Sequence, residues 1–108
     1  QVPVTGQDAT VEGLQNILAG TQCMTVYKSA TEEANALAEA AIALANGEEP
    51  KTTSTSRDDV GGRDVPSVLL TPKSITKDNV DIVFEDGGQS RDEVCAGQFA
   101  ETCTAAGV

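Results

Sequence analysis

The sequence contains no histidine and no tryptophan, and only 3% of its residues are aromatic. Without histidine, neither a zinc site nor a catalytic Ser-His or Cys-His pair is expected. Tyr27, Phe84 and Phe99 are its aromatic residues, so alanine, valine and leucine must fill most of the core. The composition therefore argues against zinc and histidine-dependent catalysis, and we expect no metal, no cofactor and no catalytic residue.

Basic residues are also scarce, because seven Lys and Arg stand against 17 Asp and Glu and give a formal net charge of −10. Nucleic-acid binding needs clustered Lys and Arg, and an anionic membrane surface attracts basic segments. Neither partner is expected. No apolar run approaches the roughly 20 residues of a membrane helix.

The chain shows no signal peptide and no initiator methionine. It opens on Gln1-Val2-Pro3-Val4, which already has the pattern of a strand. A gene product seldom begins inside an element, so we expect a mature fragment of a longer protein. A length of 108 residues with 39% apolar content is enough for one small domain.

Three cysteines are present. Cys23 lies in an apolar run and is predicted to be a small buried residue. Cys95 and Cys103 flank a polar tail segment, where a disulfide would close a short loop and hold a tail with little core. That disulfide would imply an extracytoplasmic location. The alternative is a pair of unpaired thiols.

Periodicity predicts strands that alternate with helices. The predicted order is a strand over Val2–Thr5, a helix capped by Thr10, a strand over Gln22–Tyr27 and a helix capped by Ser29 and Glu32 that Asn46-Gly47 ends. Later predictions are a loop or exposed edge strand over Lys51–Arg63, a third strand over Val65–Leu70, a weaker strand over Val80–Phe84 and a helical turn over Asp92–Ala96. This order favours an α/β fold with a parallel, Rossmann-like sheet.

Ligands of open α/β sheets bind beyond the carboxyl ends of the strands. Asp8 follows the first predicted strand and Lys28 closes the second, so parallel strands would bring both to one edge. A carboxylate that accepts and an ammonium that donates suit the hydroxyls of a sugar. The alternatives are a turn or cap role for Asp8 and a solvated Lys28. The remaining acidic clusters lack the spacing of a calcium loop.

Three ordered blocks resemble the xylose-type periplasmic sugar-binding proteins and their multiple-sugar-binding relatives. The blocks are Thr5-Gly6-Gln7-Asp8-Ala9, Ala19 to Lys28 (AGTQCMTVYK), and Asp64 to Pro72 (DVPSVLLTP) followed by Asp78-Asn79-Val80. The resemblance runs from Gln1 to about Gly88. It implies a two-lobed fold of which this chain is the C-terminal third, with Asp8 and Lys28 as sugar ligands.

The resemblance also divides the chain. Residues 1–27 would belong to the second lobe, residues 28–64 would cross over and pack their helix on the first lobe, and residues 65–88 would return. Residues 89–108 would form the disulfide-held tail. Because the first lobe is missing, the apolar face of the long helix would be exposed, which favours dimerisation of the fragment.

The function implied is capture of a monosaccharide such as xylose for an ABC permease, in the periplasm or outside the cell, with no enzymatic step. A sensor that presents the sugar to a histidine kinase or chemoreceptor is the alternative. A hydrolase that uses Asp8 is a third hypothesis, and it lacks a second carboxylate placed across a cleft.

Overall fold

The computed structural model describes residues 2–108. Gln1, the first residue of the predicted second-lobe segment, lies outside the described residues. The chain forms two compact units. The first unit runs up to Ser29 and resumes over Pro72–Val108, and the second unit is Ala30–Thr71.

The elements follow one another in the order predicted for the first half of the chain and differ in the second half. The strands are β1 Thr5–Gln7, β2 Met24–Tyr27, β3 Ser54–Asp58, β4 Arg63–Ser67 and β5 Lys73–Ile75. The α-helices are α1 Val11–Leu18, α2 Ala30–Ala45, α3 Asp81–Glu85, α4 Arg91–Val94 and α5 Ala100–Ala106, and 3₁₀ turns cover Lys77–Asn79 and Gly97–Phe99.

The β1-α1-β2 segment confirms the predicted strand, helix and strand, although β1 begins at Thr5 rather than Val2. β1 and β2 pair in parallel, with Thr5 opposite Met24. The side chain of Thr10 accepts a hydrogen bond from the Gly13 N–H at 3.1 Å and caps α1, as predicted. The α/β class is therefore confirmed.

The sheet of the first unit is mixed rather than wholly parallel, because its third strand is β5, antiparallel to β2. The strand predicted over Val65–Leu70 does not join this sheet. Its first residues lie in β4, which pairs with β3 in a separate two-stranded sheet of the second unit. Pro66 has no N–H to donate, and a two-stranded ribbon, in which each strand is an edge, accommodates it.

The strand predicted over Val80–Phe84 is wrong, because this segment is helical. Val80 and Val83 are both buried and lie three residues apart, which is a helical spacing. The Asn79 side chain accepts a hydrogen bond from the Thr76 N–H at 2.7 Å and turns the chain into the helix. Alternation of apolar residues over five positions did not distinguish the two structures.

The core of the first unit is formed by α1, β2, β5 and the C-terminal helices. Its members are fully or almost fully buried: Ala9, Leu14, Leu18, Tyr27, Ile75, Val80, Val83, Val94 and Cys103. The Gln15 side chain also donates to the Val94 carbonyl at 3.0 Å, which ties α1 to α4.

The predicted disulfide between Cys95 and Cys103 is present, with the two Cα atoms 5.8 Å apart. It joins α5 to the residue that ends α4, so the tail contains more helix than the single turn predicted over Asp92–Ala96. Cys23 was predicted to be buried and is instead an exposed free thiol, because it precedes β2 and lies outside the packed part of that strand.

The second unit consists of α2 and the β3-β4 hairpin. α2 ends at Ala45, as predicted, and none of its residues is buried. Leu37 and Leu44 are 73% and 65% exposed, so the apolar face predicted for this helix is open to solvent. The segment predicted as a loop or an exposed edge strand contains β3. No helix within residues 2–108 is both long enough and apolar enough to cross a membrane.

Candidate functional site

The carboxyl ends of β1 and β2 bring the two predicted ligand residues together. Gln7 lies opposite Val26 in the parallel register, so Asp8 and Lys28 both lie just beyond their strands. The Lys28 Nζ is 2.8 Å from the Asp8 Oδ1. The two side chains are 40% and 60% exposed, so both polar groups are accessible to a ligand.

The backbone around Asp8 is held in an unusual conformation. Asp8 and Ala9 have φ angles of +76° and +42°, a region that non-glycine residues seldom adopt. The Asp8 N–H donates to the Val26 carbonyl at 2.7 Å, and the Ala9 N–H donates to the Thr25 Oγ1 at 3.3 Å. β2 therefore fixes the turn that presents the Asp8 carboxylate.

A second polar cluster involves the residues on either side of Lys28 in the chain, and sequence reasoning did not identify it. The Tyr27 hydroxyl donates to the Asp86 Oδ2 at 2.5 Å. This hydrogen bond lowers the pKa of Asp86 below its ordinary value of 3.8, with further lowering by a side-chain hydrogen bond with Ser29 and by the nearby Lys73 charge. Burial acts in the opposite direction. The hydrogen bonds outweigh burial, so the pKa of Asp86 is lowered on balance and its carboxylate is kept ionised.

Asp86 lies 58 residues after Lys28 in the chain, which is why its role was missed. The signal that could have indicated it is the Gly87-Gly88 pair that follows it. A Cβ on Gly88 would lie 2.8 Å from the Cε2 and Cζ atoms of Tyr27. Only glycine allows the chain to pass this closely over the ring.

The arrangement is suited to binding by hydrogen bonds. The Asp8 carboxylate accepts and the Lys28 ammonium donates, which matches a polyol whose hydroxyls do both. Within residues 2–108, no group of three or more His, Cys, Asp and Glu side chains is placed to hold a metal ion.

Comparison with known proteins gives a consistent result, although no family model matches the chain. The chain is 47% identical over 95 residues to the D-xylose-binding periplasmic protein of Escherichia coli (strain K12), covering 87% of this chain and 28% of that protein. It is 38% identical to the multiple sugar-binding periplasmic receptor of Rhizobium radiobacter, covering 79% of this chain and 24% of that protein.

The fold also matches a solved structure. A carbohydrate transporter solute-binding protein from Chloroflexus aurantiacus, crystallised in complex with D-glucose, superimposes with a TM-score of 0.75 and 33% identity. The match covers 84% of this chain and 26% of that protein. The chain thus spans about a quarter of the length of the proteins it matches. The chain is homologous to one part of the periplasmic sugar-binding proteins.

Proposed function

We propose that the chain is the C-terminal part of an extracytoplasmic solute-binding protein that captures a monosaccharide, xylose or a similar aldose, for an ABC importer. Two relatives are named for xylose or multiple sugars, and the structural neighbour holds D-glucose. The names of the relatives support a periplasmic location, and the disulfide agrees with an oxidising compartment.

We propose Asp8 and Lys28 as ligands of the sugar, and the observation that carries this is their 2.8 Å pair at the carboxyl ends of two parallel strands. An exposed ion pair contributes only about 0–1 kcal/mol to stability. Two consecutive residues at positive φ cost about 1–3 kcal/mol each. Stability therefore does not account for the arrangement, whereas preorganisation for a ligand does.

The rest of the binding protein would supply the remaining contacts. In this proposal α2 packs on a first lobe that the chain does not include, and its exposed Leu37 and Leu44 are the contact face. Binding energy would come from both lobes, so this chain alone should bind sugar weakly or not at all. No observation favours the sensor or the hydrolase, and we propose a binding role without a chemical step.

The test is a chimera in which this chain replaces the matching segment of the E. coli D-xylose-binding protein. Calorimetric titration with D-xylose, D-glucose and other aldoses should give saturable heat from the chimera and none from the chain alone. Asp8→Ala or Lys28→Ala should weaken binding by about tenfold or more, since a hydrogen bond to a charged group contributes about 1.5–3 kcal/mol.

Matched controls are Asp59→Ala and Lys77→Ala, which remove the same charges at exposed positions. They should leave the affinity within about twofold. A folded chimera that releases no heat with any sugar would contradict the proposed function. If the chimera binds sugar and neither Asp8→Ala nor Lys28→Ala changes the affinity, the proposed ligand residues are wrong while the proposed function stands.

A further inference from the structure

Lys28 has a flexible side chain, and the residues before and after it in the chain both hydrogen-bond to the carboxylate of Asp86. Its neighbours in sequence are Tyr27 and Ser29, and the side chains of both hydrogen-bond to Asp86. A lysine ammonium at the end of four methylenes reaches a defined point only if its backbone is fixed.

The Tyr27 contact is rigid because it is nearly buried. Tyr27 is only 6% exposed, although its hydroxyl reaches the half-buried Asp86 at 2.5 Å. The chain turns at Gly87, Gly88 lies against the hydroxyl end of the Tyr27 ring, and the Gly88 N–H donates to the Val83 carbonyl at 2.9 Å. The turn that follows α3 thus packs against the tyrosine.

The second contact holds the chain on the far side of Lys28. Ser29 is 7% exposed and is the last residue of the first unit before the chain enters the second. The returning strand β5 lies beside β2, because Lys73 is paired with Tyr27. The positive charge of Lys73 acts on Asp86 as well. One carboxylate therefore joins the outgoing and returning segments of the first unit.

We propose that Asp86 is a positioning residue of the ligand site, which fixes the backbone at Tyr27 and Ser29 so that the Lys28 ammonium stays beside Asp8. This proposal rests on the proposed function, since it assigns a role in presenting Lys28 to the sugar. Asp86 itself does not touch the ligand in this scheme. Its effect on affinity should pass entirely through Lys28.

The first test uses this chain alone and needs no sugar. The sequence contains four lysines, Lys28, Lys51, Lys73 and Lys77, so selective ¹³Cε-lysine labelling gives few NMR signals, and Lys28→Arg assigns the one of interest. Asp86→Asn and Tyr27→Phe should both move the Lys28 signal toward its position in Asp8→Ala. Tyr27→Phe keeps the charge of Asp86, so a shift there reports position rather than a lost charge.

The matched control is Asp81→Asn. It removes a carboxylate from the other end of α3 and breaks the 3.0 Å ion pair with Arg91, yet it should leave the Lys28 signal in place. An unchanged Lys28 signal in both Asp86→Asn and Tyr27→Phe would overturn the proposal. So would an equal shift in Asp81→Asn, because that would indicate a general loss of structure.

The second test measures D-xylose affinity in the chimera by a double-mutant cycle. Asp86→Asn should weaken binding by about tenfold in the wild-type background and by less than about twofold when Lys28→Ala is present. Equal losses in both backgrounds would mean that Asp86 does not act through Lys28. If no variant of the chimera binds sugar, the proposed function fails, while the NMR result still decides whether Asp86 positions Lys28.

Discussion

The two units of this chain differ in how well they bury their own apolar residues. Within residues 2–108, every buried residue lies in the first unit. The second unit instead contains six large exposed hydrophobic residues: Leu37, Ile42, Leu44, Val60, Leu69 and Leu70. Ala36, Ala40 and Val68 of the second unit line a pocket of about 330 Å³ that is open to solvent.

The difference shows that the first unit has a core of its own whereas the second does not. α2 has an adequate pattern of apolar residues, but the two-stranded β3-β4 sheet offers it little surface to pack on. A two-stranded hairpin is marginally stable at best in water. The second unit thus leaves most of its large apolar side chains exposed to solvent.

Leucine-to-alanine substitutions in the two units should give the largest contrast. Leu14→Ala empties a position that is 0% exposed and should lower the free energy of unfolding by about 2–5 kcal/mol. Leu37→Ala, at a position that is 73% exposed, should change it by no more than about 0.5 kcal/mol. Urea denaturation measures both, and similar losses would mean that α2 is packed in solution.

Removal of the disulfide should weaken the first unit alone. Cys95→Ala with Cys103→Ala opens a loop with a sequence separation of 8, and loop entropy gives a loss of about 2–3 kcal/mol. Hydrogen exchange should rise in α4 and α5 and stay unchanged in β3 and β4. Cys23→Ala is the control at an exposed thiol, and a loss as large as that of the double variant would contradict the assignment.

At both Gly88 and Gly61 an added Cβ would come too close to a neighbouring side chain, but substitution by alanine should destabilise the protein to different extents. A Cβ on Gly88 meets the enclosed ring of Tyr27, which cannot move aside, so Gly88→Ala should cost about 1–3 kcal/mol. A Cβ on Gly61 meets the side chain of Asp58 in the exposed hairpin, and Gly61→Ala should cost less than about 0.5 kcal/mol. Thermal unfolding compares them; an equal cost would show that the hairpin is as rigid as the core of the first unit.

The smallest effect concerns pH. Because hydrogen bonds lower the pKa of Asp86 below 3.8, the native state binds that proton more weakly than the unfolded state does. The resulting stabilisation is present above the unfolded pKa and is lost as the pH falls through the folded value. Asp86→Asn removes this contribution, so its urea midpoint should fall less than that of the wild type between pH 5 and pH 2.

Tyr27→Phe should flatten the same pH profile while it keeps the carboxylate, because the largest cause of the lowered pKa is removed. If Asp86→Asn loses stability on acidification as steeply as the wild type, the cluster does not stabilise the ionised form. The comparison of the units would then rest on apolar burial alone.

Local patterns predicted the first half of the fold well. Thr10 caps α1, and Gly20 follows the helix at a φ of +79°. Such features are predictable from sequence because caps and terminal glycines act on residues a few positions away. The position of Asp8 and Lys28 followed from the rule that parallel strands end at one edge. Their pairing at 2.8 Å agrees with that prediction, while the sugar-ligand role stays a prediction.

The sequence by itself determined the α/β class, the helices α1 and α2, the cysteine pair and the resemblance to sugar-binding proteins, because each depends on local spacing or on ordered motifs. Only the tertiary structure decided that β5 completes the sheet in the antiparallel direction and that Val65 belongs to a separate hairpin. It also decided that Val80 to Phe84 is helical and that Asp86 holds both neighbours of Lys28. These features depend on contacts between residues distant in the chain, and short-range periodicity carries no information about such contacts.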